Sequence, residues 1–153
     1  MLREKINDAM KEAMKAKEME TLGTIRMVMA KLKDLDIAAR TADSREGIKE
    51  EQILTMLQGM IKQRRESIAL YEKGNRADLA AKEAAEIIVI ERFLPQQMDE
   101  AAIKAAITDA ISATGASSIK DMGKVMGELK KAYTGQMDFA SAGTLVKGIL
   151  SGD

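Results

Sequence analysis

The chain has 153 residues, with 24 Lys and Arg against 24 Asp and Glu, no His, no Cys and no Trp. That composition excludes disulfides, metal, haem or iron–sulfur centres built on His or Cys, and every Ser-His-Asp or Cys-His mechanism. A general acid or base would have to be Asp, Glu, Lys or Tyr in a pKa-shifting environment, and two Tyr and two Phe leave few rings on which to stack RNA bases.

The hydrophobic pattern is helical nearly throughout. Leu2, Ile6, Ala9, Met10, Ala13 and Met14 recur at three- and four-residue steps and share one face of a first helix. Lys15 and Lys17 followed by Glu18 and Glu20 suit a helix end and a helix start, which places a break between them. A second helix carries Leu22, Ile25, Met29, Leu32 and Leu35 on its stripe. Asp34 and Asp36 stand two apart on it, diverge, and are expected to be solvated. Residues 41–48 are polar with one glycine and read as a loop.

A third helix is predicted from about Lys49 to Lys73, closed by Gly74-Asn75, and a fourth from about Arg76 to Phe93. Pro95 is the one proline and the strongest boundary, because it pushes Leu94 away from helical angles. Composition changes there as well: residues 1–95 hold 18 basic and 17 acidic side chains, residues 96–153 hold 6 and 7. The expected architecture is all-α and two-lobed, with a larger N-terminal helical lobe over 1–94 and a small three-helix lobe over 95–153. In the small lobe Asp99 caps a helix ending at Thr114-Gly115. Ser117 or Ser118 caps the next, which closes at Gly135, and Asp138 caps the last. No apolar run exceeds four residues, so no membrane span is expected and a cytoplasmic location is the default.

Two clusters invite a functional reading. In the first, Lys62-Gln63-Arg64-Arg65-Glu66-Ser67, Arg64 falls between Ile61 and Ile68 on the apolar stripe. Folding helices three and four into a hairpin brings it opposite Glu83 and Glu86, so an interhelical Arg–Glu pair is one expectation. Phosphate contact by Lys62 and Arg65 is the other. The second cluster is Lys120, Lys124, Lys130 and Lys131 with Lys147 further on, interleaved with Gly115, Gly123, Gly127 and Gly135. Glycine inside a helix costs about 1 kcal/mol relative to Ala. Either the last helix packs closely on Gly123 and Gly127, or these glycines form a smooth basic surface that admits RNA backbone. Met10, Met14, Met29, Met122 and Met126 sit on apolar stripes and are expected to fill cores. No Gly-Lys-Ser/Thr phosphate loop, dinucleotide fingerprint or convincing carboxylate pair occurs. No catalytic residue, metal ligand or cofactor is assigned.

Several stretches together carry a resemblance. They are Asp8-Ala9-Met10-Lys11, Ala13-Met14-Lys15-Ala16-Lys17, Thr24-Ile25-Arg26, Ile61 to Ser67, Tyr71-Glu72-Lys73, Phe93-Leu94-Pro95-Gln96-Gln97, Thr114-Gly115-Ala116-Ser117 and Asp121 to Gly127. The chain resembles the GatB/YqeY family over essentially its whole length, as a stand-alone YqeY-like chain. The resemblance implies an all-helical, two-lobed fold divided near Pro95. It also implies a C-terminal lobe similar to the tail of the B subunit of the glutamine-dependent tRNA amidotransferase, which helps to hold tRNA. Its shared pieces here are Gly123, Met126, Gly135 and Asp138, while Gln136 departs from a basic residue often found after the glycine. The partner implied is tRNA or a tRNA-processing complex. The activity implied is that of a carbon–nitrogen ligase with glutamine as amido-N-donor. In the larger enzyme the glutaminase and transamidase centres lie outside the similar domain. The expectation for this chain is therefore an accessory module without its own active site, the ligase activity and a protein-interaction adaptor being the alternatives.

Overall fold

The computed structural model describes residues 1–152 and contains seven α-helices and one short 3-10 turn. The helices are α1 (Leu2–Ala16), α2 (Met19–Ala38), α3 (Glu50–Lys73), α4 (Ala77–Glu91), α5 (Glu100–Thr114), α6 (Met122–Tyr133) and α7 (Phe139–Ser151). No strand occurs among the described residues, and the fold is all-α. The chain divides into two compact units, Met1–Pro95 and the residues from Gln96 onward.

The first unit is built on the α3–α4 hairpin, with α2 packed on α4 and α1 packed on α2. Ile6, Ile25, Val28, Ile53, Leu57 and Ile90 are buried at its centre. The α1–α2 break falls at Lys17, which takes the left-handed conformation at φ 59° and returns its amide to the Met14 carbonyl. At the end of α3 the left-handed residue is Asn75 at φ 55°, not Gly74, whose φ is −88°. Asn tolerates this region because its short amide can bond locally. Met14 is 51% exposed rather than core filling, since it lies past the edge of the stripe set by Leu2, Ile6 and Ala13.

Asp36 departs furthest from its expected role. It accepts from Arg3 at 2.6 and 2.8 Å and from the Ile48 amide at 2.8 Å, while Arg3 Nη2 also donates to the Ile48 carbonyl at 2.8 Å. These bonds clamp the far end of the 41–47 loop to α1 and α2. The chain passes so close that a Cβ at Gly47 would lie 2.3 Å from Asp36 Oδ1 and 2.6 Å from Arg3 Nη2. The Arg3 bonds, ahead of the Ile48 amide bond, hold the Asp36 carboxyl below the usual carboxylate range.

The second unit packs α5, α6 and α7 around Ile107, Val125, Leu129, Met137 and Val146. Asp99 caps α5 by accepting from Ala102 N at 2.7 Å, and Gly115 closes it at φ 67°. Ser118 is the N-cap of the next helical segment, as expected, but that segment opens as a 3-10 turn over Ile119–Asp121 before α6. The reason is Asp121, whose carboxylate accepts from the Ser117 and Ser118 amides at 3.0 and 3.3 Å and tightens the chain there. Those two amides hold the Asp121 carboxyl below its ordinary pKa, with Lys124 adding a smaller effect. Before α5, the Gln97 side chain donates to the Gly135 carbonyl at 2.6 Å and the Met98 amide to the Gln136 carbonyl at 2.9 Å. Gly135 is buried at φ 79°, a conformation suited to glycine.

Candidate nucleic-acid interface

Helix α6 spends its apolar residues on one side. Val125 and Leu129 are fully buried, and Met122 and Met126 are half-buried beside them. At 3.6 residues per turn, each residue advances about 100° around the axis. Lys130, Gly123, Gly127, Lys131 and Lys124 then follow one another, in that angular order, over an arc of about 120° on the opposite side. All five are exposed. The glycines thus form a strip with Lys130 on one flank and Lys124 and Lys131 on the other. Glu128 stands at the outer edge of this face.

The expectation that α7 packs on Gly123 and Gly127 is corrected: among the described residues nothing beyond the adjoining residues and backbone of α6 itself lies within 4 Å of a Cβ added at either position. The close approach exists, but the glycine is on the other helix. Gly143 of α7 is buried, and a Cβ there would meet Met122 Cε at 3.5 Å and Met126 Cε at 3.8 Å. Seating that contact on an antiparallel pair turns Lys130, Gly123 and Gly127 of α6 to the same side of the seam as Lys147 and Thr144 of α7. Lys147 and Thr144 are exposed. Lys120 is exposed on the 3-10 turn, where the α6 register does not fix its direction. Among the described residues no ion pair engages Lys120, Lys124, Lys130, Lys131 or Lys147.

The other basic cluster is arranged differently. Arg64 reaches from α3 to α4, with Nε 2.9 Å from Glu86 Oε2 and 4.0 Å from Glu83 Oε2, and donates to its own helix at the Met60 carbonyl. Its side chain is 11% exposed and that of Glu86 13%. Arg65 is exposed but faces Glu91 at 3.5 Å. Lys62 is exposed with no ion pair among the described residues. One isolated lysine beside a neutralised arginine makes a poor phosphate site. The two basic clusters also belong to different units.

Sequence reading missed Arg3 and Asp36, which hold the loop rather than a ligand. It also missed Gly143, whose only signal was a small residue on the core face of α7. Among the described residues no group of His, Cys, Asp or Glu is gathered to hold a metal ion, and no helix is long and apolar enough to cross a membrane.

A curated relative, altered inheritance of mitochondria protein 41, mitochondrial, from Vanderwaltozyma polyspora, is 31% identical over 120 residues, which cover 74% of this chain and 62% of the relative. The match thus spans less than two thirds of that relative's length. The family model for the Yqey-like protein matches residues 3–150, nearly the entire chain. The chain belongs to the YqeY-like family.

Proposed function

We propose that the protein is an RNA-binding accessory module that holds tRNA by its backbone against the α6–α7 face, acting in the cytoplasm without an active site of its own. One observation carries this: two glycines that weaken α6 face open space between lysines that form no ion pair among the described residues. A packing role would explain glycine at 123 and 127, but nothing packs there. A solvent-facing helix gains about 1 kcal/mol for each such glycine changed to Ala. Close approach of a polyanion explains both the missing side chains and the lysine flanks. The resemblance of this lobe to a tRNA-holding tail points the same way. The contacts are to phosphates and sugars, so affinity is modest and sequence preference slight.

The test is tRNA binding by nuclease-treated full-length protein across a salt series. Four phosphate contacts give a log–log slope of about −3 to −4. Lys124→Ala with Lys131→Ala lowers its magnitude by about 2. Gly127→Leu leaves the fold intact, since the space above it is empty, and weakens binding. Affinity unchanged by salt and by all three substitutions would overturn this assignment in favour of a protein-only adaptor. Glutamine-dependent amidation of mischarged tRNA by the purified chain alone would overturn it in favour of an enzyme.

A further inference from the structure

The first unit holds a cleft that the RNA face does not use. It lies at the elbow between α1 and α2, where the end of α4 closes one side, and has a volume of about 380 Å³. Ala9, Ala13 and Ala16 line the α1 wall, Ile25 the floor, and Val89 and Phe93 the α4 wall. The alanines recur at i, i+4 and i+7, so one whole wall is free of bulk and is shaped to receive a larger side chain. Three charged residues stand on the rim: Glu12 and Glu18 on the α1 side, Arg92 on the α4 side. None of them forms an ion pair among the described residues.

The α4 surface beside this cleft is unusual. Helix α4 directs Glu83 and Glu86 toward Arg64 and leaves Ala81, Ala84, Ala85 and Ile88 exposed. Ile88 is 59% exposed and stands one helical turn before Arg92. The opposite face of α4 buries Ala80, Ile87, Val89 and Ile90 in the core, so Ile88 is a large apolar side chain left over on the solvent side. The same face therefore carries a protruding Ile88, an alanine-walled recess, an acidic rim and a basic rim.

We infer that this face is a self-complementary docking surface for a second copy of the chain. A two-fold axis running along the cleft sets the α4 wall of one copy against the α1 wall of the other. Arg92 then meets Glu12 and Glu18 of the second copy, twice over, and Ile88 meets the alanine wall. An axis across the cleft would instead bring like charges together, so the rim selects one of the two arrangements. The patch is small, and the complex is a weak, concentration-dependent dimer.

The experiment is sedimentation of the nuclease-treated full-length protein over a concentration series. The expected result is a monomer–dimer equilibrium. Ile88→Asp shifts it at least tenfold toward monomer, and far-UV circular dichroism checks that this exposed substitution leaves the fold intact. Arg92→Glu alone, and Glu12→Arg with Glu18→Arg alone, each give monomers. Mixing those two charge variants restores a dimer, because each then offers the wall the other lacks. A protein that stays monomeric at every concentration overturns the inference. So does a dimer indifferent to Ile88→Asp, or variants that fail to pair when mixed.

Discussion

The two units use charge in opposite ways. In the first, three arginines tie helices or loops together, Arg3 to Asp36, Arg64 to Glu86 and Arg65 to Glu91, while Arg76 pairs locally with Asp78 and Lys62 and Arg92 form no ion pair among the described residues. In the second, the one ion pair of a lysine among the described residues is local, Lys104 with Glu100 at 3.2 Å, and the carboxylates of Asp99, Asp121 and Asp138 cap helix ends. Lysines of α6 and α7 are left over. Nearly balanced charge thus builds tertiary structure in one place and an open surface in the other. The lesson is that a neutral chain conceals a division of labour that only pairing reveals.

That contrast breaks most sharply at Arg64. Replacing it with Ala leaves Glu86 half-buried without its partner and lowers unfolding free energy by about 3 kcal/mol, measured by urea denaturation. Lys130→Ala in the second unit should leave the same midpoint in place. If both variants unfold alike, the division of charge by unit is wrong.

Next come the glycines. Gly47→Ala forces a methyl into the Arg3–Asp36 clamp and lowers stability by about 2 kcal/mol, the worth of a charged hydrogen bond. Gly127→Ala meets nothing and raises stability by about 0.5–1 kcal/mol. Thermal melts of the two variants should move in opposite directions.

Acid supplies a third probe. Asp36 titrates lower in the folded protein than in the unfolded chain, so its stabilisation is full above the unfolded carboxylate range and is lost as pH falls through the folded value. In denaturation series below about pH 4, Asp36→Asn should lose this part of the pH dependence. A wild-type curve identical to that of the variant would remove the clamp from the account. The smallest effect is at Arg65→Ala, within about 0.5 kcal/mol, because its pair with Glu91 is solvent-exposed.

Periodicity made the helices legible, and the hairpin at Gly74-Asn75 was enough to set Arg64 opposite Glu83 and Glu86. Such arithmetic works where two helices are joined by a tight turn. It fails for Asp36, whose partner Arg3 lies 33 residues away and whose spacing from Asp34 suggested only solvent. It also fails for α6, where glycine spacing declares a cost but not the side that causes it. Only the seating of Gly143 against Met122 and Met126 tells which way the strip faces. Asn75 in place of Gly74 is of the same kind, since two adjacent residues could each take the left-handed turn.

The stitch between residues 97–98 and 135–136 has a practical consequence for cutting the molecule apart. The Met98 amide and the Gln97 side chain are bonded to the turn between α6 and α7 before α5 begins. A protease that cleaves just after Pro95 would release a fragment that keeps both bonds. Cleavage at Asp99 would spare every helix of that fragment and still leave the Gly135 and Gln136 carbonyls without these donors. The excisable piece is therefore set by three residues outside any helix, and slow deuterium exchange at the Met98 amide would mark its true edge.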